Sequence, residues 1–156
     1  MEHYINDPEI LPAPLAAKSL DPSEIVLPYP EALEAIDYLA TQGYFTIAWE
    51  GWIKLSDGRM GHSRDHQGTH EFWGTKGKPI PERIQESAGF ARRTIEEHQQ
   101  EWNNKTEISE ADFFAPLELL YKRHERQEPN DKTKIEGSTL YFCLSVQSGD
   151  EDIPDD

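Results

Sequence analysis

Cysteine is almost missing from this chain: Cys143 is the single one in 156 residues. No disulfide can form within one molecule, which fits a reducing compartment. Inside TLYFCLSV the thiol reads as a small core hydrophobe rather than a nucleophile. Long apolar runs are missing as well. None approaches the roughly 18 residues that a membrane span needs. The opening MEHYINDPEILPAP has neither the basic start nor the apolar stretch of a signal peptide. The expectation is a cytoplasmic protein with no membrane association.

Basic charge is the third scarcity, with 15 Lys and Arg against 30 Asp and Glu, a net charge of -15. Residues 1–50 hold nine acids and one base, and residues 101–156 fourteen acids and six bases. Residues 51–100 are close to balanced, with seven acids and eight bases. A surface this acidic repels phosphate backbones and anionic lipid, which argues against direct nucleic-acid binding. It attracts basic proteins and speeds their encounter, although acidity also simply maintains solubility. Nucleophile and phosphate motifs are lacking too: there is no GxSxG, P-loop or GxGxxG, so no enzyme and no cofactor is expected.

What is present is a single α+β domain's worth of pattern. Six prolines in residues 1–30 predict an extended arm over residues 1–29, laid over the domain. YPEALEAIDYLATQGY predicts a helix with Leu33, Ile36, Leu39 and Ala40 on one face and Gly43 just past its end. PIPERIQESAGFARRTIEEHQQEWNNK predicts a longer one, with Ile84, Ala88, Ala91, Ile95, His98 and Trp102 as its stripe. From Tyr44 the period becomes two: Phe45, Ile47, Trp49, Ile53 and Leu55 alternate with Glu50, Trp52 and Lys54. Leu140, Phe142, Leu144 and Val146 alternate with Tyr141, Cys143 and Ser145 in a second strand. PLELLYKRHE reads as a further strand, RQEPNDKTKIEG as a polar loop, and Ser109 as the cap of one turn closed by Asp112. These elements predict a small antiparallel sheet of about four to five strands with two packed helices in 30–147, followed by an acidic tail in 148–156.

The densest chemistry lies in WEGWIKLSDGRMGHSRDHQGTHEFWG, Trp49 to Gly74. His62, His66 and His70 invite a metal reading, but four residues of extended chain span about 13 Å. Zinc–nitrogen bonds are about 2.0–2.1 Å, so neighbours on one strand cannot share an ion without a sharp bend. No metal site is expected there. A small metal-dependent hydrolase built on His62, Asp65 and His66 remains the alternative. As a hairpin, a two-residue Asp57-Gly58 loop would set Leu55 opposite Met60, Ile53 opposite His62 and Trp52 opposite Ser63. Met60 and His62 would then join the core face. Trp52, on the polar face, is either covered by a helix or the arm, or is an exposed anchor for a partner. Gly51 would let a neighbouring group approach closely.

The stretch GYFTIAWEGWIKLSDGRMGHS, with the following Gln67-Gly68 and the final LYFCLSV, resembles the immunity proteins of bacterial polymorphic toxin systems, in a family with a WEGW-type tryptophan-rich hairpin. The likeness spans roughly residues 32–147. It implies a cytoplasmic, non-enzymatic protein that binds and neutralises a cognate toxin, a basic nuclease being the natural match for this charge. The contacts expected are Glu50 and Trp52 on the sheet, with Glu34, Asp37, Asp150, Glu151 and Asp152 steering the encounter. A structural or adaptor domain that assembles through the proline-rich arm is a third reading.

Overall fold

In the computed structural model, residues 5–56, 58–69, 77–113, 133–134 and 137–149 are described. The fold is α+β. A four-stranded antiparallel sheet runs in the order β1-β6-β2-β3, where β1 is Val26–Pro28, β2 Tyr44–Lys54, β3 Met60–Thr69 and β6 Thr139–Ser148. A two-stranded sheet pairs β4, Glu107–Ile108, with β5, Thr133–Lys134. The predicted polar loop therefore contributes a short strand, while PLELLYKRHE lies outside the described residues.

The two predicted helices form where their stripes require. In α2, Glu31–Thr41, Ala32, Ala35, Ile36 and Leu39 are buried. Its first-turn acids Glu31 and Glu34 meet the positive end of the helix dipole. Gly43, with φ +89°, takes the left-handed conformation that stops the helix. In α3, Ile80–Asn103, the buried row is Ile84, Ala88, Ala91, Ile95 and Trp102. Each fully covered aliphatic side chain there contributes about 1.5–3 kcal/mol of hydrophobic stabilisation. Both helices pack on the sheet face that carries Trp49, Ile53, Leu140 and Phe142. At the end of the short turn Glu110–Asp112, the Ser109 amide donates to the Asp112 carboxylate at 2.8 Å, as the capping pattern predicts.

The arm departs from the extended overlay. It holds a short helix, α1, over Ala13–Ala16, and its last residues, Val26–Pro28, pair with β6 as an edge strand. Leu11 and Leu15 enter the main core. Six prolines prevent a long helix here, but they leave room for single turns and for a strand on the edge, where a missing amide donor is tolerated.

The opposite face of the sheet is also covered. Val26, Trp52 and Cys143 form a second cluster, with Leu20, Met60 and Tyr141 against it. The sheet is thus lined by apolar groups on both sides, and the arm's Leu20 helps to close the outer one.

Candidate functional site

The loop between β2 and β3 is one residue longer than a two-residue Asp57-Gly58 turn, closing at Leu55 and Arg59. The Leu55 amide donates to the Arg59 carbonyl at 2.6 Å, and the Gly58 amide to the Leu55 carbonyl at 2.9 Å. Three positions lie between the closing residues, and Gly58 has φ +97°. This is the three-residue loop whose last position is left-handed. The pairing is then Lys54 with Met60, Ile53 with Gly61 and Trp52 with His62. A one-residue slip exchanges faces, so the expected placing of Met60 and His62 on the core side is corrected. Both lie on the outer face with Trp52.

A second irregularity follows. Trp52 pairs with His62 and Glu50 with Gln67, so a single β2 residue, Gly51, stands opposite Ser63 to His66. The bulge bends β3 and turns His66 inward over Gly51. A Cβ on Gly51 would stand 2.8 Å from the His66 Cβ and 3.2 Å from its carbonyl oxygen. The close approach expected at Gly51 is made by His66. Its neighbour Gly68 serves Trp49 in the same way, with the indole Nε1 2.6 Å from where a Cβ would be. Trp49 donates from that nitrogen to Thr94 Oγ1 at 2.9 Å.

Two histidine environments result. On the outer face His62 stacks on Trp52, ring centroids 4.8 Å apart and planes 23° apart. Its Nδ1 lies 3.6 Å from Glu50 Oε1. The Glu50 carboxylate raises the His62 pKa above its ordinary value, against the opposing effect of burial. Trp52 itself has 3% of its surface exposed. It is covered rather than displayed, which corrects the exposed-anchor alternative. Nearby, the Cys143 thiol donates to Glu24 Oε1 at 3.4 Å. Burial first, and then Glu24, push its pKa well up, so it stays a thiol as expected of a core cysteine.

On the helix face, His66 is buried and meets His98 of α3, with the two Nδ1 atoms 2.9 Å apart. One ring donates and the other accepts, the roles depending on which tautomers are present. His98 packs edge-on to Trp49 at 5.0 Å, and His66 edge-on to Trp102 at 6.3 Å. Burial, followed by repulsion from His98, lowers the His66 pKa. One turn along α3, Glu101 adds a carboxylate, and one ligand atom from each of His66, His98 and Glu101 lies within 4.8 Å of the others. This cluster was missed at the level of sequence. Its visible trace was His98 on the buried stripe with Glu101 three residues later, but nothing local announced that His66 would arrive opposite.

The residues singled out by sequence are divided among surfaces. Glu50 and Trp52 share the outer sheet face with His62, while His66 belongs to the other side. The His62–Asp65–His66 constellation is therefore split by the sheet. Glu34 and Asp37 are exposed on α2, in the helical layer, and Asp37 Oδ1 lies 3.4 Å from Arg92 Nη1. Asp150, Glu151, Asp152 and His70 lie outside the described residues. No helix among the described residues is long and apolar enough to cross a membrane. No family model matches the chain, and no curated protein or solved structure matches it either.

Proposed function

We propose that this protein is an immunity-type inhibitor that binds a basic toxin domain and masks its working surface. The observation that carries the reading is the charge: 30 acids against 15 bases in 156 residues. It is supported by the position of exposed Glu34 and Asp37 on α2, a regular element packed on the sheet. Charges held on such an element present a fixed field to an approaching partner. Electrostatic steering of this kind raises association rates toward about 10⁸–10⁹ M⁻¹s⁻¹ at low salt.

Steering acts over roughly a Debye length, about 8 Å at physiological salt, so the steering acids need not touch the partner. Glu50, 42% exposed beside His62, is the contact assigned to the outer sheet face. Trp52 contributes there by holding the His62 ring in place rather than by inserting into a pocket. The likeness of the WEGW hairpin to immunity proteins points the same way, with a nuclease domain as the natural basic target.

The test is co-expression with a basic toxin domain, chosen from any toxin gene found beside the one for this protein. The expected result is restored growth and a one-to-one complex whose association rate falls steeply with salt. Glu34→Lys with Asp37→Lys should slow association roughly tenfold while leaving dissociation nearly unchanged. Absence of both protection and complex overturns the reading.

A further inference from the structure

We infer that His66, His98 and Glu101 form a binding site for a divalent transition-metal ion of the zinc class. This goes beyond the proposed inhibitory role and stands or falls separately from it.

The donor set is two imidazoles and one carboxylate, which suits borderline ions such as Zn²⁺. Its geometry is close to that of a chelate. Two nitrogens 2.9 Å apart, each about 2.05 Å from an ion, subtend an angle of about 90° at it. A tetrahedral angle needs a separation of about 3.3 Å, so the rings have to part by only about 0.4 Å. The farthest ligand atoms are within 4.8 Å, and Glu101 is exposed, so its side chain can swing inward without repacking the core.

The scaffold places the three donors from two elements. His98 and Glu101 stand three apart on α3, which puts them on one helix face. His66 is delivered by the β3 bulge into the space that Gly51 leaves open. Trp49 against His98 and Trp102 against His66 limit the rotation of both rings. Pre-set orientation of this kind reduces the ordering needed on binding. Three protein donors leave at least one coordination position for water, on the Glu101 side. The His66–His98 contact alone explains two rings in hydrogen-bond range. Glu101, three residues further along α3, supplies the third donor.

The experiment is titration of the full chain with Co²⁺ alone, read by its visible ligand-field absorption, followed by displacement with Zn²⁺. The expected result is saturable one-to-one binding with bands of a four- or five-coordinate nitrogen-ligated ion. Zn²⁺ should also shift the ring resonances of His66 and His98 in a histidine NMR spectrum while leaving His62 in place. Glu101→Gln, at an exposed position that folding does not depend on, should weaken binding roughly tenfold or more. His98→Ala should abolish the visible bands, and His62→Ala should leave them unchanged. Absence of saturable binding overturns the site. So does weak, multiple binding by surface acids that neither Glu101→Gln nor His98→Ala alters, and so does loss of the bands in His62→Ala.

Discussion

Each face of the β2–β3 hairpin sets a tryptophan beside a histidine, yet the two arrangements differ in nearly every respect. On the outer face Trp52 and His62 are stacked cross-strand partners, with Glu50 at the imidazole. On the helix face Trp49 and His66 meet through α3: His98 touches both, and Thr94 takes the indole hydrogen. The outer pair is built from neighbours within the hairpin, and its imidazole, though not its indole, keeps partial access to solvent. The inner group needs a bulge, two glycines and a helix from elsewhere in the chain. What separates the two histidines is three residues of β3 and a bend in the backbone.

The largest effect expected is from the tryptophans. Trp49 and Trp52 are 2% and 3% exposed. Trp52→Ala should destabilise the fold by about 3–5 kcal/mol, close to the cost of Trp49→Ala. Urea denaturation midpoints measure both. A surface anchor would lose less than about 0.5 kcal/mol, so a small effect at Trp52 would break the symmetry drawn between the faces.

Next come the glycines, which test whether the inner group really depends on close approach. Gly51→Ala places a methyl 2.8 Å from the His66 Cβ and 3.1 Å from Leu140 Cδ1. Neither neighbour is the end of a long flexible chain, so the expected loss is about 1–3 kcal/mol. Gly89→Ala in α3 is the opposing case, because nothing lies within 4 Å of a Cβ there. It should stabilise by about 0.5–1 kcal/mol through helix propensity alone. The difference in sign is the test; no loss at Gly51 would mean that the approach of His66 does not depend on a glycine there.

The comparison also marks what could be read from the residues. The stripes of α2 and α3 and the alternation in β2 and β6 were legible because burial on one side imposes a period that side chains must obey. Gly43 was legible because only a left-handed residue ends α2 cleanly. The register of the hairpin was not. Asp57-Gly58 suits a two-residue loop, but the same pair fits a three-residue loop with Gly58 left-handed at its last position, and the difference exchanges the faces of Met60 and His62. The cluster around His66 was hidden for a related reason. Ideal extended backbone would hold His62 and His66 about 13 Å apart, and the strand's own pattern names no partner outside it. The partners came from α3 instead, through a bulge whose only written sign is Gly51 across from it.

The smallest predicted effect uses the opposite pulls on the two imidazoles. Glu50 raises the His62 pKa above 6.5, so folded protein holds that proton where unfolded chain has lost it. The stability this contributes is complete below 6.5 and is lost as pH rises through the raised folded value. Burial lowers the His66 pKa below 6.5, so between its folded value and 6.5 the unfolded chain binds more protons. Stability from that site grows as pH rises through this lower window and is complete above 6.5. Together the pair favours a shallow maximum near the ordinary histidine value. Urea midpoints in EDTA across roughly pH 5 to 8.5 would trace it. Glu50→Gln should flatten the limb above 6.5 and leave the limb below it intact, since Glu50 sits on the far side of the sheet from His66. Flattening of both limbs by that one change would mean that the two faces communicate through the hairpin, and that the division between an open histidine and an enclosed one is not as complete as their surroundings make it.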